Sequence, residues 1–100
     1  MSKRIELHNI LSLFMTNVYF QPPSDKLMNY PCIVYQKTTP DVNYADDKTY
    51  KKSQEYQITV IEHDPDSSVA DELTVYLPYA SIASKFIKDG LHHTNIRLYY

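Results

Sequence analysis

Four histidines and one cysteine are the side chains with the widest chemical range in this 100-residue sequence. His8, His63, His92 and His93 could ligate a metal, and the adjacent pair His92-His93 draws notice first. A zinc centre needs three or four convergent ligands, commonly at short turn or i,i+4 spacing. Neighbouring residues on a strand point to opposite faces, so His92 and His93 cannot both serve one ion from a strand. His63 has Asp64 and Asp66 beside it, yet capping of a following helix accounts for both carboxylates. The spacing therefore favours turn and surface histidines. A small metal- or ligand-binding domain using His63, His92 and His93 stands as the alternative from another functional class.

Nucleophilic catalysis has even less to build on. Cys32 lies in the apolar run Cys32-Ile33-Val34-Tyr35, which predicts a buried, inert thiol, whereas a reactive one needs electropositive and open surroundings. The serines fall at caps and in loops, without the sharp Gly-x-Ser-x-Gly turn that exposes a nucleophile. Asp46-Asp47 and Asp71-Glu72 are adjacent in sequence, which suits solvated faces and not a spaced acid/base pair. Gly90 is the only glycine, so phosphate loops and dinucleotide fingerprints, which need several, are excluded. No enzyme, no metal and no cofactor is expected.

Partner recognition is the better prospect. The polar segment 39–53 carries Tyr44, Asp46, Asp47, Lys48, Tyr50, Lys51 and Lys52. Loops of about 15 residues are uncommon in compact domains unless they have a function or are disordered. Tyrosine together with charge suits a protein surface, the ring supplying area and the hydroxyl a hydrogen bond. Stacking on single-stranded nucleic acid is the other use of such residues, but Asp41, Asp46 and Asp47 cancel the three lysines. Tyr99 and Tyr100, at the end of the last predicted strand, join the loop as candidate contacts with a neighbouring subunit or partner. Tyr35, Tyr56 and Tyr76 are expected to pack inside.

The elements that position these residues follow from periodicity. Leu7, Ile10, Leu11 and Phe14 form one apolar stripe, predicting a helix over 2–15 with Ser2 as its cap. Val18-Tyr19-Phe20 has strand composition, kept short and peripheral by Pro22-Pro23. Pro31 opens a strand over 32–37. Residues 54–62 alternate strictly, Tyr56, Ile58 and Val60 on one face and Glu55, Gln57 and Thr59 on the other. A second helix follows, capped by Asp64 or Asp66, with Pro65 in its first turn, Ser68 and Asp71 in capping-box spacing, and Pro78 as its stop. Its buried stripe is read as Val69, Leu73, Tyr76 and Leu77. Residues 82–88 and 91–100 pair as a hairpin around Asp89-Gly90, although Tyr79, Ile82 and Phe86 also fit helical spacing. The order helix, strand, strand, helix, strand, strand predicts a two-layer α+β domain over 1–100. A mostly antiparallel four-stranded sheet has both helices on one face.

Net charge is −2, so bulk attraction to nucleic acid or anionic lipid is not expected. The longest apolar run is four residues, far short of the ~20 needed to span a membrane, and Glu6, His8, Ser12, Thr16 and Asn17 break any signal-peptide core. The lone cysteine fits a reducing compartment.

Five segments in order, VYFQPP (18–23), YPCIVYQK (30–37), YADDKTY (44–50), YQITVIEHDPDS (56–67) and LHHTNIRLYY (91–100), resemble the tail-terminator proteins of long-tailed phages infecting Gram-positive bacteria. These are small tail-completion, head–tail joining proteins. The resemblance runs over 18–100 and implies a structural virion protein without catalysis. It implies a ring, commonly a hexamer, seated on the tail tube at its head-proximal end and assembled in the host cytoplasm. The ring stops polymerisation of the tube protein and offers a docking surface to the connector or stopper, while DNA passes through its lumen without specific binding. A head-side neck protein, stopper or adaptor, is the nearest alternative. Under this resemblance the loop residues, with Tyr99 and Tyr100, would contact the neighbouring subunit or the tube.

Overall fold

Leu7 and Leu11 lie fully buried on the first helix, α1 (Lys3–Phe14), with Ile10 and Phe14 half-buried beside them, as their spacing requires. The computed structural model describes residues 3–21, 29–38 and 54–100, so the predicted Ser2 cap falls outside it. Strands β1 (Val18–Phe20), β2 (Cys32–Thr38) and β3 (Glu55–Glu62) follow, then helix α2 (Val69–Tyr76) and strands β4 (Ala80–Lys88) and β5 (Leu91–Tyr99). The strands form one sheet in the order β1-β2-β3-β5-β4. Both helices contribute to a single core with Ile33, Tyr35, Tyr56, Ile58, Val60, Ile96 and Leu98, so both cover the same face, as expected of a two-layer α+β domain.

The sheet has five strands, not four, and is mixed. Val18 to Phe20 pair parallel with Ile33 to Tyr35 of β2, while every other pairing is antiparallel. Three residues suffice because the ladder is extended at both ends: Ile33 N–H donates to the Asn17 carbonyl at 2.9 Å and Gln21 N–H to that of Tyr35 at 2.7 Å. Val18 and Phe20 also pack against the core, and the Arg4 guanidinium sits 4.3 Å over the Phe20 ring. A contact of this kind contributes about 0.5–1 kcal/mol at an exposed site and more when desolvated.

The stretch after α2 is a strand from Ala80 onward, which sets aside its helical spacing. A bulge between Ile82 and Ser84 breaks the alternation. It leaves Ile82, Lys85 and Ile87 opposite the helix-side residues Ile96, Thr94 and His92, with Ser84 and Phe86 on the other face. At the hairpin tip Asp89 and Gly90 have φ of 54° and 75°, the paired positive values of a two-residue turn that glycine adopts without strain.

Two details at α2 differ from expectation. Neither Asp64 nor Asp66 caps the helix: the Asp64 carboxylate accepts from the Asp66 N–H at 2.9 Å in a local turn, so Pro65 precedes the helix. The hydroxyl of Ser67 accepts from Val69 N–H at 3.3 Å, and Ser68 donates to the Glu72 carboxylate and not within a box to Asp71. Tyr76 is exposed, with Ala70 taking the buried position in the stripe. Ala70, Leu73 and Leu77 fall at i, i+3 and i+7 and turn inward, and Tyr76, about 100° round the helix from Leu77, points away from the core.

Candidate functional site

The predicted contact residues Tyr44, Asp46, Asp47, Lys48, Tyr50, Lys51 and Lys52 lie outside the described residues. The roots of their segment are described, and they meet Tyr99 and Tyr100 at one end of the sheet. Thr38, the last residue of β2, pairs with Glu55. Gln54 donates its side-chain amide to the Thr38 carbonyl at 2.8 Å, and its backbone exchanges hydrogen bonds with Tyr100 at 3.1 and 3.0 Å. The segment therefore leaves from β2 and returns to β3 beside the terminal tyrosines.

The open face at this end is polar. Glu55 accepts from the Thr38 hydroxyl at 2.8 Å and pairs with Arg97 Nε at 3.4 Å. Farther along, the Thr59 hydroxyl donates to Asn95 Oδ1 at 2.8 Å, and the Asn95 amide donates to the Ser84 hydroxyl at 2.9 Å. A shallow cavity of about 420 Å³ lies over these residues, reaching from Thr38 across Gln57 to Ser84 and Tyr99. Every buried side-chain polar atom among the described residues has a partner, so the ladder braces the strands.

Tyr100 faces the other way. It packs against the helix-side core, its hydroxyl lies 3.4 Å from Glu6 as donor, and burial first, then the Glu6 charge, raises its pKa. Tyr35 and Tyr56 are buried as expected. The hydroxyl of Tyr35 lies 2.7 Å from His8 Nδ1 and accepts from Arg4 at 3.4 Å. Burial raises the Tyr35 and Tyr56 pKa values. These bonds, with Tyr35 fully enclosed, fasten α1 to the sheet.

The histidines do not converge. His92 lies opposite Glu62 and Ile87 on the helix side, whereas His93 is on the open face, its ring stacked on Phe86 at 4.6 Å. His63 stands edge-on to Tyr30 at 6.5 Å. No group of three or more His, Cys, Asp or Glu side chains among the described residues could hold a metal. The alternative built on His63, His92 and His93 therefore lacks an assembled ligand set. Cys32 is fully buried, and burial pushes its thiol up to about 11, which makes it a poor nucleophile. Among the described residues, no helix is long and apolar enough to cross a membrane.

Sequence reasoning missed the exposed apolar residues. Leu13, Val75, Tyr76 and Tyr79 are exposed around the helix layer, and Ile82, Phe86 and Ile87 along β4. Apolar residues on both faces of 82–87 were the available signal, since a half-buried strand normally keeps one face polar. No protein-family model matches the chain. No curated protein matches it in sequence, and no solved structure matches its fold.

Proposed function

We propose that this chain is a tail terminator: a structural virion protein, not an enzyme, that closes the phage tail tube as a ring. The observation that carries the reading is the ordered resemblance of five segments over 18–100. In this reading a homo-oligomeric ring, six copies in the virion, sits on the last ring of tube protein. It ends polymerisation and presents its other side to the connector or stopper of the filled head.

The architecture is compatible with such a role. A sheet edge without a partner strand is available to a neighbouring subunit, and the outer edge of β4 is one among the described residues. The roots of 39–53 and the terminal tyrosines share one end of the sheet, which lets both contribute to one contact. Twelve acidic against ten basic residues suit a lumen through which DNA passes without being gripped, since phosphate contacts would retard it.

Electron microscopy of a phage lacking this protein tests the reading. Abnormally long tails and unjoined heads are expected, and tails of normal length joined to heads would overturn it. Heads leaking DNA beside tails of normal length would instead assign the protein to the head-side neck.

A further inference from the structure

The open face of the sheet gathers hydrogen-bonding side chains around its polar cavity. Four of them are planar and two-headed: the Glu55 carboxylate, the Gln57 and Asn95 amides and the Arg97 guanidinium. Thr38 and Ser84 add hydroxyls. Register brings these residues side by side from four strands, Thr38 opposite Glu55, Gln57 opposite Arg97 and Asn95 opposite Ser84. Thr38 and Arg97 hold Glu55, while Thr59 and Ser84 hold Asn95, so these heads are oriented before any ligand arrives. Their capacity is not exhausted, since a carboxylate accepts about four hydrogen bonds, a primary amide donates two and a guanidinium five. Arg97 meets Glu55 through Nε at 3.4 Å, which leaves its two terminal nitrogens to reach another acceptor. Gln57 is exposed.

We infer that this cavity binds a neutral carbohydrate, holding a pyranose ring by its neighbouring hydroxyls. The inference goes beyond the virion reading and does not depend on it. Two adjacent hydroxyls offer paired donors and acceptors, which match a planar two-headed side chain as a guanidinium fork matches a carboxylate. The charges select against other ligands. Glu55 and Arg97 neutralise each other, and no other charged side chain among the described residues lines the cavity. A phosphate would face the Glu55 carboxylate, and a nucleic-acid strand needs several cations along its backbone. A wholly apolar ligand would leave the polar heads without partners, which costs more than its burial returns in so shallow a site. Tyr99 lines the cavity as well, and an aromatic ring suits the C–H face of a sugar. The volume of about 420 Å³ falls in the range of small-molecule sites. Because the site is open on one side, a Kd of about 1–10 mM is expected for a single sugar.

Titration of the nitrogen-15-labelled protein with glucose and with N-acetylglucosamine, followed by NMR, tests this. The side-chain amide signals of Gln57 and Asn95 are expected to shift and saturate with at least one of the two sugars. Inorganic phosphate at the same concentration is expected to leave those signals where they are. Gln57→Ala, at an exposed position, is expected to weaken binding about tenfold through the lost pair of hydrogen bonds. Arg97→Lys keeps a cation beside Glu55 but loses the planar fork, and a similar loss is expected. Both variants are expected to keep a urea midpoint close to the native one, so that weaker binding reports lost contacts and not a loosened fold. No saturating shift by about 100 mM of either sugar, tenfold above the weakest expected Kd, would overturn the inference. So would shifts confined to residues outside the cavity, phosphate moving the same signals, or variants that bind as the native protein does. None of these results bears on tail length in a phage lacking the protein, so the site and the tail reading stand or fall separately.

Discussion

The two faces of the sheet are built from the same strands and hold together in different ways. On the helix side, Tyr56, Ile58 and Val60 of β3 meet Leu98, Ile96 and Thr94 of β5 and Lys37, Tyr35 and Ile33 of β2. Leu7, Leu11, Leu73 and Leu77 come down on them from the helices. One residue along each strand, Glu55, Thr59, Asn95 and Arg97 face the open side and bond across it, Thr59 to Asn95 and Arg97 to Glu55. Burial of apolar area is worth about 25 cal/mol per Å², whereas an exposed hydrogen bond or ion pair contributes about 1 kcal/mol or less. The covered face therefore carries the stability, and the open face is left able to change its partners.

The largest test removes side-chain volume from the covered face. Ile58 is fully buried between Tyr35 and Ile96. Ile58→Ala is expected to cost about 2–5 kcal/mol in urea unfolding, the lost transfer energy plus the cavity left behind. A cost near that of an open-face substitution would erase the distinction between the faces.

The boundary between the faces is sharpened by Cys32, which belongs to the open face by register yet is fully buried with Val34 and Ile61, beside Tyr19 and Leu91. Its thiol rises from 9.0 to about 11 through burial. The folded protein then keeps a proton that the unfolded chain loses above pH 9, so the unfolded state binds fewer protons there and stability falls with rising pH. This contribution is complete below pH 9 and is lost as pH passes through 11. The urea midpoint is expected to drop more steeply over that window in the native protein than in Cys32→Ala. Raised tyrosine pKa values at Tyr35, Tyr56 and Tyr100 add to the slope in both. Equal slopes would show that the thiol titrates as an exposed group.

Periodicity made the covered face legible in the sequence, because residues 54–62 and the α1 stripe each fit one repeat. The turn at Asp89-Gly90 and the inward Tyr35 and Tyr56 followed by the same logic. What did not follow depends on residues distant in the chain. The parallel pairing of β1 requires β2 as a template, and the bulge at Ile82/Ser84 interrupts the alternation, which left a helical spacing open beside the predicted 82–88 strand. Tyr76 fits the apolar spacing of α2, but only the placement of the helix on the sheet decides that Ala70, Leu73 and Leu77 face inward and Tyr76 does not. The apolar recess between the helices was illegible for the same reason, since Phe14 comes from α1 and Val75 and Tyr76 from α2. The loop residues Tyr44 to Lys52 were singled out by composition alone and lie outside the described residues; the flanking Thr38 and Gln54 are bonded to each other, and Gln54 to Tyr100.

The smallest expected effect belongs to the Glu55–Arg97 pair on the open face. The Arg97 side chain is 61% exposed and that of Glu55 only 11%, so one partner is screened by solvent while the other is held by the strand and by Thr38. Screening governs such a pair, because the arginine loses little hydration on meeting the carboxylate and gains little from it. A double-mutant cycle with Arg97→Ala and Glu55→Gln, the latter keeping an acceptor for Thr38, is expected to give a coupling of about 0.2–1 kcal/mol. The coupling is expected to shrink further as salt is raised from low ionic strength, where the Debye length is long. A coupling of about 2 kcal/mol or more that resisted salt would require the pair to be desolvated. The open face at the roots of 39–53 would then be a stabilising element in its own right, and the division between a load carried by one face and partners met by the other would fail.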